Sequence, residues 1–279
     1  MRSGDREEIT GMPIVRANGV VLKYEIKGRG EPLVLISDLG SDMTTWGLQV
    51  AEFAYDNFVI SFDNRGVGGS DAPDGPYSVE MLAQDTLALM DVLGVEQAHV
   101  LGTSLGGMVG LEMAVSRPNR VRSLTLAATS ARMTQRWRFV METALSAAAK
   151  GVDQETITRF LLPWTYSDHM LMGGKRLEGL VKARAVRARQ QSFQALASQI
   201  AACSSFNGAE MLGKVRAPTL VIAGKHDLLT PIYCSEELVH GIAGARLEIL
   251  EGGHGLHTEA AEAFNVAVMR FLREVDGRK

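Results

Sequence analysis

One pentapeptide, Gly102-Thr103-Ser104-Leu105-Gly106, constrains the fold of this chain more than any other feature. The residues before it, Ala98 to Leu101, read as a strand, and those after it, Leu105 to Ser116, as a helix that must end before Pro118. A serine with glycines two positions away on either side, at a strand-to-helix junction, fits a sharp and strained turn. Such a turn lifts the hydroxyl out at the carboxyl edge of a sheet. Strand before and helix after are the context that such a turn needs.

Pro13 to Ala17 and Val20 to Lys27 flank Asn18-Gly19, a dipeptide suited to the positive φ angles of a tight hairpin turn. Pro32 to Ser37 and Phe58 to Phe62 are continuous apolar runs, as expected of strands covered on both faces. Trp46 to Tyr55 reads as a short helix between them. Ser78 is placed to cap a helix that runs to Leu93 and stops at Gly94. Val121 to Ala128 reads as the next strand. The rhythm then breaks: from Ala131 to Lys214 there are only helical patterns, over Gln135 to Lys150, Gln154 to Leu162, Lys175 to Arg189 and Gln191 to Ala202. Strands resume at Thr219 to Ala223 and Arg246 to Leu250, Pro231 interrupts the chain between them, and Ala260 to Val275 closes as a helix. Repeated strand–helix–strand units imply right-handed crossovers and a parallel sheet. The expected architecture is α/β, a mostly parallel eight-stranded sheet flanked by helices, with an inserted helical cap. Residues 1–130 and 215–279 form the core, residues 131–214 the cap, and the polar residues 1–11 a poorly ordered tail.

The formal net charge of −3 gives no basic surface for nucleic acid. No apolar run approaches the ~20 residues of a membrane span, and the polar start has no apolar signal core. The two cysteines, Cys203 and Cys234, suggest neither a disulfide framework nor a metal site, so a reducing, cytoplasmic setting is expected. No histidine pair has zinc-ligand spacing with a third partner. The partner is expected to be a small molecule, with no cofactor or metal; a homodimer is compatible with the sequence.

A serine hydroxyl becomes nucleophilic only when a base takes its proton. Asp227, in Lys225-His226-Asp227 directly after a late strand, is placed to orient that base. His254, in Glu251-Gly252-Gly253-His254-Gly255 after the last strand, has small neighbours that let its ring approach the serine. His257, three residues on, is not excluded by chain order. His99, His169, His226 and His240 are expected at the surface or behind the site. Asp63 and Arg65 are read as a structural turn network.

The order Ser104, Asp227, His254, the glycine-flanked serine and the run Asp63-Asn64-Arg65-Gly66-Val67-Gly68-Gly69-Ser70 together resemble the α/β-hydrolase superfamily, over about Pro13 to Arg273. Leu39-Gly40-Ser41, Phe206-Asn207, Gly253-His254 and Phe264-Asn265 make the chain most similar to the group of 3-oxoadipate enol-lactonases and aminoacrylate hydrolases. The resemblance implies a serine hydrolase that passes through an acyl-enzyme on Ser104, acting on a small carboxylic ester or lactone. C–N cleavage of an aminoacrylate-like substrate, C–C cleavage, and a slow-turnover signalling protein of the same fold stay open as alternatives. The position of Leu105 at the start of its helix offers one oxyanion donor, and the resemblance implies Leu39 as the second. Most relatives carry His-Gly where this chain has Ser37-Asp38; Asp38 either orders the loop or touches substrate.

Residues 131–214 hold 12 Lys or Arg against 6 Asp or Glu, and most of this surplus of positive charge lies on Lys175, Arg176, Lys182, Arg184, Arg187 and Arg189. This is a solvated helical face, or a face from which one or two arginines pair with a substrate carboxylate in fork geometry. Trp164 and Tyr166, beside the helix-ending Pro163, are candidates for an apolar wall over the acyl group.

Overall fold

The computed structural model describes residues 13–278, apart from the side chains of residues 176 and 187–190. The tail expected over residues 1–11 lies outside the described residues, as do the side chains of Arg176, Arg187 and Arg189. Eight strands follow in chain order: β1 (Ile14–Ala17), β2 (Val20–Lys27), β3 (Glu31–Ile36), β4 (Asn57–Phe62), β5 (Ala98–Thr103), β6 (Val121–Ala127), β7 (Thr219–Gly224) and β8 (Arg246–Leu250). They form one sheet in the order β1-β2-β4-β3-β5-β6-β7-β8. The hairpin β1–β2 and the β2–β4 pair are antiparallel, and every later pair is parallel. The eight-stranded, mostly parallel sheet expected from the sequence is the observed one.

Alternation along the strands supplies two cores. Val34, Ile36, Val100, Leu124, Leu126 and Val221 enter the cluster on one face. Their neighbours Leu33, Leu35, Leu101, Leu220 and Ile222 enter the cluster on the other. The period of two does the sorting, because successive Cβ atoms point to opposite faces of a sheet. Two helices, α1 (Gly47–Phe53) and α2 (Val79–Val92), precede β5, and α3 (Leu105–Ser116) follows it. Ser78 caps α2 as expected, its hydroxyl accepting from Met81 N–H at 3.1 Å.

Five helices lie between β6 and β7: α4 (Gln135–Ala149), α5 (Gln154–Thr165), α6 (Asp168–Leu171), α7 (Lys175–Gln190) and α8 (Phe193–Ser205). Beyond β7 come α9 (Ile232–Gly241), α10 (Leu256–Glu259) and α11 (Ala261–Val275). Two prolines behave differently from expectation. Pro163 does not end α5 but sits in its final turn, where the ring removes one backbone donor while Tyr166 N–H still reaches Leu162 C=O at 2.9 Å. Pro231 does not interrupt the chain; it is the N-cap residue of α9, a helix missed in the sequence, where a fixed φ of −55° suits helix entry.

Several polar groups inside the core are paired. Arg65 meets Asp85 through two nitrogens, each at 2.5 Å, and Asn18 Nδ2 adds a bond of 2.7 Å to the same carboxylate. Asp63 accepts from Met43 N–H and Gly69 N–H, both at 2.8 Å, so the turn network expected of Asp63 and Arg65 is present. His99, expected at the surface or behind the site, is fully buried in β5. Its Nδ1 lies 2.7 Å from Ser123 Oγ and its Nε2 3.2 Å from Asp276 Oδ1, which ties the C-terminal end of the chain to the sheet. Burial holds its pKa below the ordinary histidine range despite Asp276. Cys203 and Cys234 are free and buried.

The Arg65–Asp85 pair is almost entirely shielded from water. Removing one partner leaves an uncompensated charge, so Asp85→Ala is expected to lower the unfolding free energy by about 3–5 kcal/mol in urea titrations.

Candidate active site

Ser104 carries the backbone strain that its sequence context requires, with φ +52° and ψ −115° between β5 and α3. Positive φ is costly for a residue with a side chain and persists only where the surroundings enforce it. Here Ser104 N–H donates to Ala127 C=O at 3.0 Å, and Thr129 Oγ1 donates to Ser104 C=O at 2.6 Å. The flanking glycines are there because there is no room for anything larger. A Cβ on Gly102 would lie 2.1 Å from Gly106 O, and one on Gly106 would lie 2.0 Å from Ile36 O.

The turn aims Ser104 at His254. Ser104 Oγ lies 2.9 Å from His254 Nε2, and His254 Nδ1 lies 2.8 Å from Asp227 Oδ2. All three residues are buried. Asp227 leaves β7 through a short turn, and its remaining acceptor sites are filled. Its Oδ1 takes Leu229 N–H and Thr230 N–H, each at 2.8 Å, and its Oδ2 takes Thr230 Oγ1 at 2.7 Å. Those donors fix the carboxylate and with it the imidazole. Burial alone would lower the His254 pKa. The charge and hydrogen bond of Asp227, with the more distant charge of Asp38, outweigh burial and hold it above the ordinary value of 6.5.

A second Ser–His–Asp set, Ser123, His99 and Asp276, shows what the first has in addition. Ser123 and His99 are wholly buried, whereas Ser104 and His254 line a pocket of about 410 Å³. Helices α4, α5, α7 and α8 supply much of its wall, including Met141, Leu161 and Leu196. Arg184 and Asp38 carry the two permanent charges among its lining residues.

His257 also lines the pocket, but Ser104 is not its partner. Its Nε2 meets Thr45 Oγ1 at 3.1 Å, and burial pushes its pKa down to about 4, so the ring is neutral at physiological pH. Leu39 lines the pocket beside Ser104, and Leu105, as the first residue of α3, has an N–H without an intrahelical acceptor. Asp38 faces the pocket as well. Its carbonyl accepts from Ser41 N–H at 3.2 Å, while its Oδ1 is buried without a hydrogen-bond partner. Tyr166 lines the pocket, and its hydroxyl accepts from Arg184 Nη1 at 3.3 Å. Trp164 is not among the lining residues. The lining positions of α5, at 154, 157, 158, 161 and 165, define one helical stripe, and Trp164 lies at its edge, packed on the larger core.

Sequence reasoning missed Thr230 and Glu259. Thr230 sits three residues after Asp227, a spacing at which a hydroxyl can reach back to a carboxylate. Glu259 accepts from Gly253 N–H at 2.9 Å and from Ser167 N–H at 3.2 Å, a contact across 92 positions that no local pattern signals. Among the described residues no group of three or more His, Cys, Asp or Glu is placed to hold a metal, and no helix is long and apolar enough to cross a membrane.

Sheet order, strained serine and pocket together are those of a hydrolase, and comparison with known proteins gives the family. The family model for the alpha/beta hydrolase fold matches residues 46–261, so the chain belongs to that family. Over 271 residues it is 32% identical to the RutD protein of Azorhizobium caulinodans, which carries the name of a carbamate hydrolase; the match covers 95% of this chain and all of that one. It is 31% identical over 261 residues to 3-oxoadipate enol-lactonase 2 of Acinetobacter baylyi, covering 92% of this chain and 95% of the relative. The crystal structure of the enol-lactonase from Burkholderia xenovorans LB400 superposes with a TM-score of 0.85 at 30% identity, covering 93% of this chain and 99% of that one.

If His254 must be neutral to accept a proton, activity is lost as pH falls through its raised pKa. The kcat/KM for any substrate hydrolysed is therefore expected to rise with pH through a midpoint above 6.5. In Asp227→Asn that midpoint moves down and kcat falls by roughly 10⁴-fold.

Proposed function

We propose that the chain is a serine hydrolase of small carboxylic esters or lactones, working through an acyl-enzyme on Ser104. One observation carries the reading: the unbroken hydrogen-bonded chain Ser104–His254–Asp227 at the wall of a partly open pocket. In this reading His254 takes the hydroxyl proton as Ser104 Oγ attacks the acyl carbon. Asp227 stabilises the imidazolium without becoming protonated itself. The N–H groups of Leu39 and Leu105 receive the oxyanion, each such donor being worth about 3 kcal/mol in the transition state. His254 then returns its proton to the leaving group, and a water activated by the same ring releases the acid. Residues 131–214 act as the cap that encloses the acyl group, with Tyr166 as part of its wall.

Arg184 supports a substrate that bears a carboxylate. It reaches the pocket from α7 and forms no ion pair among the described residues, so its guanidinium is available for fork-like pairing. The enol-lactonase relatives support an acidic lactone. The name of the RutD relative supports a second reading, hydrolysis at a C–N bond, which the same nucleophile and base would perform.

A panel of aryl esters, lactones and carbamates, each neutral or carrying a carboxylate, tests both readings. Ser104→Ala is expected to lower kcat by about 10⁴-fold or more on every substrate cleaved, while circular dichroism is unchanged. Wild-type turnover in that variant contradicts the proposal, and preferred cleavage of carbamates moves it to the second reading. Arg184→Met is expected to lower the ratio of kcat/KM for acidic over neutral esters by about 10- to 100-fold, the range of a charge-assisted hydrogen bond.

A further inference from the structure

The loop that carries His254 is held from the helical segment as well as from the sheet. Gly255 N–H donates at 2.8 Å to the carbonyl of Thr165, the last residue of α5. A Cβ on Gly253 would lie 2.7 Å from that same oxygen and 2.9 Å from Tyr166 Cα, and one on Gly255 would lie 2.6 Å from the Tyr166 ring. The backbone at the α5–α6 junction thus comes close on both sides of His254, and only glycines leave room for it.

Glu259, at the end of α10, closes this contact. Its Oε2 accepts Gly253 N–H at 2.9 Å and Ser167 N–H at 3.2 Å, and its Oε1 accepts the Ser167 hydroxyl. Ser167 is the N-cap residue of α6 yet makes no side-chain bond to that helix, because its hydroxyl is turned to Glu259. No Lys or Arg pairs with Glu259 among the described residues, so these three donors are what meets its charge. Charge-assisted bonds of this kind are roughly twice as strong as neutral ones.

We propose that Glu259 is a positioning residue that clamps the α5–α6 junction onto the His254 loop and so couples the helical segment to the base. The inference rests on the assignment of His254 as that base. A histidine between two glycines sits on an intrinsically loose loop. Its ring nevertheless has to satisfy Ser104 on one side and Asp227 on the other at once. A misplacement of about 1 Å at a reacting group costs on the order of 10²-fold in rate. Thr165 and Tyr166 line the pocket, so a bound substrate bears on the junction that holds the base.

The test compares Glu259→Ala and Ser167→Ala, with the double variant, none of which changes Asp227, Asp38 or Arg184, the charged groups facing His254. Rates are normalised to the sites labelled by a fluorophosphonate, and the downfield proton resonance of His254 Nδ1–H is followed against pH. Glu259→Ala is expected to lower kcat by about 10- to 100-fold with KM changed less than about 3-fold. The pH midpoint moves down toward 6.5, because the imidazole is no longer held on Asp227. Ser167→Ala gives a smaller loss in the same direction, and the double variant is no worse than Glu259→Ala, since both remove one interaction. An unchanged kcat and midpoint in folded Glu259→Ala, or no effect of Ser167→Ala, overturns the clamp. If Glu259→Ala does not fold, Ser167→Ala decides alone. If the wild-type protein labels no serine and turns over no ester, the hydrolase reading fails. The resonance still decides the clamp: a lowered midpoint supports it and an unmoved one overturns it.

Discussion

The site depends on a carboxylate kept inside the protein. Asp227 is buried, and an ionised group there is tolerable only because donors fill its oxygens: two backbone N–H groups, the Thr230 hydroxyl and the His254 ring. The local turn after β7 supplies three of those donors, so the carboxylate is held independently of the histidine. The imidazole then has one orientation in which Nδ1 meets Asp227 and Nε2 faces Ser104. Three strands of the sheet each place one member of this chain: β5 presents the serine, β7 the aspartate, and the loop after β8 the histidine.

The strain at Ser104 is the complementary constraint. A positive φ at a serine is held by the bonds to Ala127 and Thr129 and by the close approach of Gly102 and Gly106 to neighbouring backbone. Packing of α3 against both β5 and β3 therefore fixes where the hydroxyl points, and the two cores that sandwich the sheet keep it there.

Much of this was legible in the sequence because it is local or periodic. The strands and the glycine-flanked serine are patterns within short windows, whereas Asp227 and His254 were placed by chain order, each in a short loop after a late strand. Pro163 and Pro231 misled because a proline reads as a break unless its place in the helix is known; a helix entry accepts one, and α5 carries Pro163 near its end with the loss of one backbone donor. His99 misled because its partners, Ser123 and Asp276, come from distant segments. Trp164 and Tyr166 are two residues apart and looked equivalent, and only the orientation of α5 separates the one on the core from the one on the pocket. The clamp at Glu259 is a meeting of segments nearly a hundred residues apart, which no pattern in the chain announces. Arg176, Arg187 and Arg189 of the basic stretch lie outside the described side chains, and Arg184 is the one whose place in the pocket is seen.

In the proposed reaction Ser104 Oγ becomes covalently bonded to the acyl group. Intact-protein mass spectrometry of the enzyme, acid-quenched within milliseconds of mixing with an activated aryl ester, measures it directly. The expected result is a mass increase equal to one acyl group, mapped by peptide digestion to the segment containing Ser104 and decaying at the rate of turnover. Turnover with no adduct on Ser104, or an adduct on a different residue that decays at that rate, would contradict it.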